Sequence, residues 1–132
     1  MKKLIFLALL CLSFVAVHAQ HLIINHSRCA IQVTPVCYDP VKCVSNVCGP
    51  VTIVPPGASI PLPPPCNCQP PSLQGYIVCY AQICPNICTT ISDAAGGPCP
   101  NFPIQAVLPP CPQCSNFPLS ISWDSMGNMV IM

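Results

Sequence analysis

The chain has 132 residues, of which 52% are hydrophobic and only 5% charged, with 13 cysteines, 19 prolines and a formal net charge of +1. Once an N-terminal leader carrying Lys2 and Lys3 is set aside, Arg28 and Lys42 stand against Asp39, Asp93 and Asp124, a net charge of 2 − 3 = −1. Two cations cannot neutralise the phosphates that nucleic-acid binding requires, and attraction to an anionic membrane surface is excluded on the same ground.

The first segment in chain order is that leader. Met1-Lys2-Lys3 precedes an apolar run from Leu4 to Val17, broken only by Ser13, and Val17-His18-Ala19 supplies a cleavage context. This pattern predicts a signal peptide over residues 1–19. The run is shorter than the roughly 20 residues a membrane-spanning helix needs, so no transmembrane segment is expected after cleavage. Leu10 before Cys11 is too bulky for a lipoprotein cut. Residues 20–132 are then expected to form a single cysteine-rich domain.

Thirteen cysteines less Cys11 leaves twelve: Cys29, Cys37, Cys43, Cys48, Cys66, Cys68, Cys79, Cys84, Cys88, Cys99, Cys111 and Cys114. An even number of thiols in an exported chain pairs into a disulfide framework. Spacing does not give the connectivity.

Near the start of this domain, Asn25-His26-Ser27 is an acceptor sequon for N-glycosylation, relevant in a eukaryotic secretory pathway. A cut after Gln20 would make His21 the first residue, and its amine and imidazole, with His26, would then form a copper site. Glutamine before the cut disfavours this, and no metal or other cofactor is expected.

Prolines govern the rest. A proline inside a helix costs about 3 kcal/mol or more, and few windows of helical length lack one. The surviving β-branched and aromatic runs are Ala30–Val33, Val51–Val54, Gly75–Ala81, Ile104–Leu108, Leu119–Trp123 and Asn128–Met132, and each predicts a strand. Pro55-Pro56-Gly57-Ala58, between Val54 and Ile60, predicts a hairpin corner. Pro61–Pro71 reads as an irregular or polyproline connector, because prolines cannot donate to a ladder. Leu119, Ile121 and Trp123 alternate with Ser120 and Ser122, giving one buried and one wet face. Asp124-Ser125-Met126-Gly127 supplies the turn into the last strand.

The order of features repeats. Val36-Cys37-Tyr38, Cys43 and Asn46-Val47-Cys48 match Val78-Cys79-Tyr80, Cys84 and Asn86-Ile87-Cys88, and Leu62-Pro63-Pro64-Pro65-Cys66-Asn67-Cys68 echoes Leu108-Pro109-Pro110-Cys111-Pro112-Gln113-Cys114. A duplicated β unit, roughly residues 30–68 and 72–114, would produce this pattern.

Three motifs invite a chemical reading. Cys111-Pro112-Gln113-Cys114 has redox spacing, but no helix start or nearby cation is present to lower a thiol pKa. Cys66-Asn67-Cys68 with Cys84 and Cys88 imitates zinc-ligand spacing, which export and the even count assign instead to disulfides. A hydrolytic site needs a nucleophile, a base and an orienting group. The chain has no glutamate, and its three aspartates lie in turn-like sequences, where they bond nearby backbone.

The expected fold is therefore all-β: a small disulfide-rich β-sandwich or open barrel with Pro-rich loops. The expected protein is secreted (extracellular, or periplasmic if bacterial) and is not an enzyme. Its expected role is a binding or structural module whose partner is an unknown protein or envelope component. Two alternatives stand beside it. One is a protease inhibitor or antimicrobial effector presenting the Pro61–Pro71 loop. The other is a redox or copper-binding protein.

Overall fold

The computed structural model describes residues 20–132, so the predicted leader over residues 1–19 lies outside the described residues. The described chain forms ten strands: β1 Leu22–Asn25, β2 Ile31–Tyr38, β3 Ser45–Val47, β4 Thr52–Val54, β5 Ser59–Pro61, β6 Leu73–Tyr80, β7 Cys88–Ser92, β8 Ala106–Leu108, β9 Leu119–Trp123 and β10 Met129–Ile131. Sheet I runs β5-β1-β10-β9-β8. Sheet II runs β3-β2-β6-β7, with β4 also pairing β2. Only β1 and β10 pair in parallel; the other pairings are antiparallel.

The two sheets share one core. Ile23, Leu108, Ile121, Met129 and Ile131 from sheet I meet Ile31, Val33, Tyr76, Val78, Tyr80 and Ile91 from sheet II. Two-residue periodicity explains the selection, since alternate side chains of a strand share a face. Leu119 and Ile121 are buried as the alternation predicts, while Ser120 is exposed and Trp123 half-buried. A second, smaller core lies on the opposite face of sheet II. There Val36 and Tyr38 pack with Cys99 and Phe102 from the β7–β8 connection, and the Tyr38 and Phe102 rings stack at 4.2 Å and 3°.

Two expectations change. The strand predicted over Ala30–Val33 continues to Tyr38, through Pro35. On one side of β2, β4 pairs with Ile31–Val33 and β3 with Val36–Tyr38, so Pro35 sits where neither strand needs its missing N–H. Its carbonyl accepts the Cys48 N–H at 3.1 Å. Its ring packs so closely on Gly49 that a Cβ there would lie 2.7 Å from Pro35 Cγ. A proline is tolerated inside a sheet where no ladder bond is lost.

The second change concerns Val54 and Ile60. The turn between them forms, with Ala58 N–H donating to Pro55 O at 3.2 Å. The flanking strands are not a hairpin: β4 pairs β2 in sheet II and β5 pairs β1 in sheet I. The Pro-Gly corner carries the chain from one sheet to the other. By contrast Asp124–Gly127 closes a true β9–β10 hairpin, with Gly127 at φ 78° and its N–H on Asp124 O.

Six disulfides join all twelve cysteines of the described chain: Cys29–Cys114, Cys37–Cys68, Cys43–Cys99, Cys48–Cys66, Cys79–Cys88 and Cys84–Cys111. Disulfides at this density fit an extracellular or otherwise oxidising compartment. Val36-Cys37-Tyr38 and Val78-Cys79-Tyr80 end the neighbouring antiparallel strands β2 and β6, and Cys43 and Cys84 share positive φ values of 54° and 53°. The bridges of the two stretches differ, Cys37 bonding Cys68 and Cys79 bonding Cys88. Duplication of a β unit is a proposal resting on the matched strand ends and loop conformation, not on the bridges.

Candidate binding cleft

At one end of the sandwich the sheets part. Tyr76 lies on the core face of β6, and two residues before it Gln74 continues that face to the mouth of the sandwich. Trp123 ends β9 on the facing sheet, its ring centroid 5.8 Å from that of Tyr76 at 56°. The indole N–H donates to Ser92 O at 3.1 Å, which fixes the ring against the end of β7. Asp93 follows immediately, and its own N–H donates to Gln74 O at 3.1 Å. The indole bond to Ser92 O and the Asp93–Gln74 backbone bond thus bring Tyr76, Trp123 and Asp93 to one place.

The opposite wall is the segment after β5. Leu62 N–H donates to His21 O at 2.8 Å, and Pro63 is buried. Cys66 N–H donates to Gln74 Oε1 at 2.8 Å, and the bridges Cys48–Cys66 and Cys37–Cys68 hold the far end. The proline run is therefore a strap fixed at both ends. Strap, rings and the Asp93–Ala95 turn enclose a cleft of about 630 Å³, within the range of small-molecule sites. Gln20, His21 and Gly127 complete its rim.

The electrostatics are one-sided. Asp93 is the one carboxylate among the lining residues, which include no lysine or arginine. Burial raises the Tyr76 phenol to about 12, with the Asp93 charge adding to the shift. Tyr38, behind the same turn, is raised by the same two causes in the same order.

Sequence reasoning placed Trp123 on a strand and Asp93 in a turn but did not connect them with Tyr76. No spacing joins residues from β6, β9 and the end of β7. The signal available was compositional: this is the chain's single tryptophan.

The sequence-derived candidates fall elsewhere. Cys111 and Cys114 of the redox-spaced motif bond to Cys84 and Cys29, not to each other. Cys66 and Cys68 likewise take separate partners. Cys37, Cys48 and Cys66 bring their sulfurs within 4.8 Å of one another where two bridges lie side by side, but metal ligation needs thiolates, and all three are oxidised. His21 and His26 lie at opposite ends of β1, and His21 Nδ1 is 3.0 Å from Met126 O.

The sequon is occupied by structure. Asn25 is only 1% exposed, and its Nδ2 donates to Cys29 O, Val54 O and Pro55 O at 2.7, 3.1 and 3.1 Å. Its Oδ1 accepts from the Ser27 N–H and hydroxyl. A glycan on that nitrogen is incompatible with this arrangement. Instead, Asn25 ties the end of β1 to β4 across the sheets.

A second surface feature is the outer edge of sheet II. Val41, Val44, Val47, Val51 and Ile53, in and around β3 and β4, are exposed.

Among the described residues no helix is long and apolar enough to cross a membrane. Comparison with protein-family models, with curated proteins and with solved structures found no match.

Proposed function

We propose that this chain is a secreted, disulfide-stabilised, non-catalytic binding module that takes its ligand in the cleft between strap and rings. The observation that carries the reading is the cleft itself: a concave, largely apolar site with two aromatic rings and few polar groups. Such sites, preformed and lined in this way, are where small ligands and single side chains bind. Fixing the strap with two bridges supports the reading, because a wall held in place before binding loses little entropy on contact.

The inhibitor alternative would present the same proline segment to a protease. Burial of Pro63 and the Gln74 bond to Cys66 favour a wall over a bait loop. A structural role draws support from the exposed valine edge of β3 and β4, because unpaired apolar edge strands recruit further strands. Sedimentation of the native protein over a concentration series tests it: a constant monomer ends the edge-pairing reading.

The main reading is tested by screening a chemically mixed fragment library against the oxidised protein while observing backbone amide and indole N–H resonances. Hits are expected to shift Trp123, Ala94, Ala95 and Gly127 together. A screen whose hits scatter over the surface, or leave these four unmoved, removes the cleft as a binding site.

A further inference from the structure

Resting on the cleft reading, we propose that the ligand carries an ammonium group, seated against the rings of Tyr76 and Trp123 and facing the carboxylate of Asp93. The three carboxylates of the described chain differ in how their charge is used. Asp39 Oδ1 accepts the Val41 and Lys42 N–H groups. Asp124 accepts the Met126 and Asn128 N–H groups and the Asn128 side-chain amide. Among the described residues, Asp93 Oδ1 accepts the Ala95 N–H alone. A carboxylate offers about four acceptor positions, so most of the capacity of Asp93 is open, and it is open beside the cleft. Its charge already reaches into the site, where it disfavours a phenolate on Tyr76.

Two other polar side chains of the wall, Trp123 and Gln74, are already bonded within the protein. The Trp123 indole N–H is given to Ser92 O. The Gln74 amide is used at both ends, by Cys66 N–H on its oxygen and by Gly75 O on its nitrogen. A sugar or other polyhydroxyl ligand needs several donors and acceptors, whereas the indole N–H and one donor and one acceptor of Gln74 are already spent on the protein. What the cleft offers is aromatic faces, an apolar strap and one negative charge. A cation over the face of tryptophan or tyrosine is attracted by the ring quadrupole, and desolvation strengthens that attraction. Leu62, Pro63 and Ala94 suit the methyl or methylene groups around such a nitrogen. Arg28 and Lys42 are both exposed and neither lines the cleft. Charge complementarity thus selects a cationic organic group, as carried by quaternary amines or a lysine side chain.

The single tryptophan makes the test direct. Choline chloride is titrated into the oxidised protein at constant ionic strength and Trp123 fluorescence is followed. A parallel titration uses the uncharged isostere in which carbon replaces the choline nitrogen. Choline is expected to give a saturable change, with the isostere about ten-fold weaker. Asp93→Asn keeps an oxygen for the Ala95 N–H while removing the charge. It is expected to weaken choline by a similar factor and leave the isostere unaffected, with amide shifts reporting that the fold is intact. Equal binding of choline and isostere, or indifference of choline to D93N, overturns the ammonium assignment while the cleft reading stands. Absence of any response to choline also overturns it, and the fragment screen then decides separately whether the cleft binds anything.

Discussion

Sheet I contains no cysteine in any of its five strands, whereas Cys37, Cys79 and Cys88 lie within strands of sheet II and Cys43, Cys48 and Cys84 lie in the turns that join them. Sheet I is ordered by packing: Ile23, Leu108, Ile121, Met129 and Ile131 are all buried between the sheets. Sheet II has the longer strands, β2 and β6 at eight residues each, and like sheet I it has three-residue strands at its edge. Its β3 and β4 are three residues each and expose Val47 and Ile53, and β7 carries Thr89 and Thr90 where a core strand would carry aliphatics. The contrast shows how covalent closure and burial are distributed over the two sheets. Every described cysteine that lies within a strand lies in sheet II.

The largest test of that division removes the longest tether. Cys29–Cys114 spans a sequence separation of 85 and joins the β1–β2 and β8–β9 connections; Cys79–Cys88 spans 9 within one hairpin. Loop-closure entropy gives about 4.5 kcal/mol for the first and about 2.5 kcal/mol for the second. Replacing each pair by serine and measuring denaturant unfolding should reproduce that order. Equal losses would mean that the bridges act through local packing rather than by restricting the unfolded chain.

The second test moves to the sheet whose strands carry no cysteine. Ile121→Ala, in the middle of β9 and buried between the sheets, should cost about 3 kcal/mol through lost burial and a residual cavity. Ile53→Ala, on the half-exposed edge of sheet II, should change stability by about 0.5 kcal/mol or less. Comparable losses at the two positions in chemical unfolding would contradict the assignment of packing to one sheet and crosslinks to the other.

The same division explains what could be read from the residues. Proline density excluded helices, and sheet I's β9 and β10 were legible because Leu119-Ser120-Ile121-Ser122-Trp123 alternates and Asp124–Gly127 is a turn. Sheet II was less legible. Its strand through Pro35 depends on a gap between β3 and β4 that no local pattern records. Its β7 is polar because half of it faces away from the core. The Pro-Gly corner announced a turn correctly but not its destination, since a local signal does not say whether the next strand returns to the same sheet. The cleft was the least legible part. Its residues are ordinary in their own segments, and they become a site only where β6, β9 and the end of β7 meet.

Tyr38 offers a smaller effect of opposite sign. Its hydroxyl is buried without a hydrogen-bond partner, beneath Gly97 and beside Phe102. An unsatisfied buried polar group costs stability, so Tyr38→Phe should stabilise the fold by about 1 kcal/mol, in contrast to the losses above. The small core on the outer face of sheet II would then be improved by a change that adds no contact. Burial is also the first cause raising the phenols of Tyr38, Tyr76 and Tyr80, the last of which donates to Pro109 O. These are all three tyrosines of the chain. A group whose folded pKa is raised contributes stability below its unfolded pKa near 10 and loses it as pH rises through the folded value. Phenolate absorbance of the native protein should therefore lag behind that of the unfolded chain above pH 10. Coincident titration curves would show that the rings are not protected.

The smallest effect compares two turns with similar chemistry and different backing. Asp124 closes β9–β10 in sheet I, and Asp39 closes β2–β3 in sheet II. The backbone N–H of Asn128, then its side-chain amide, holds the Asp124 carboxyl below the usual range, and the Lys42 and Val41 N–H groups do the same for Asp39. Each contribution is present above the unfolded pKa near 3.8 and is lost as pH falls through the lower folded value. The Asp39 turn also contains Cys43, bonded to the buried Cys99. Acid should therefore release the Met126 and Asn128 amides to hydrogen exchange before the Val41 and Lys42 amides. Equal release in both turns would mean that the Cys43–Cys99 bond does not hold the loop when the carboxylate lets go. In that case the covalent half of the molecule is no more locally constrained than the packed half.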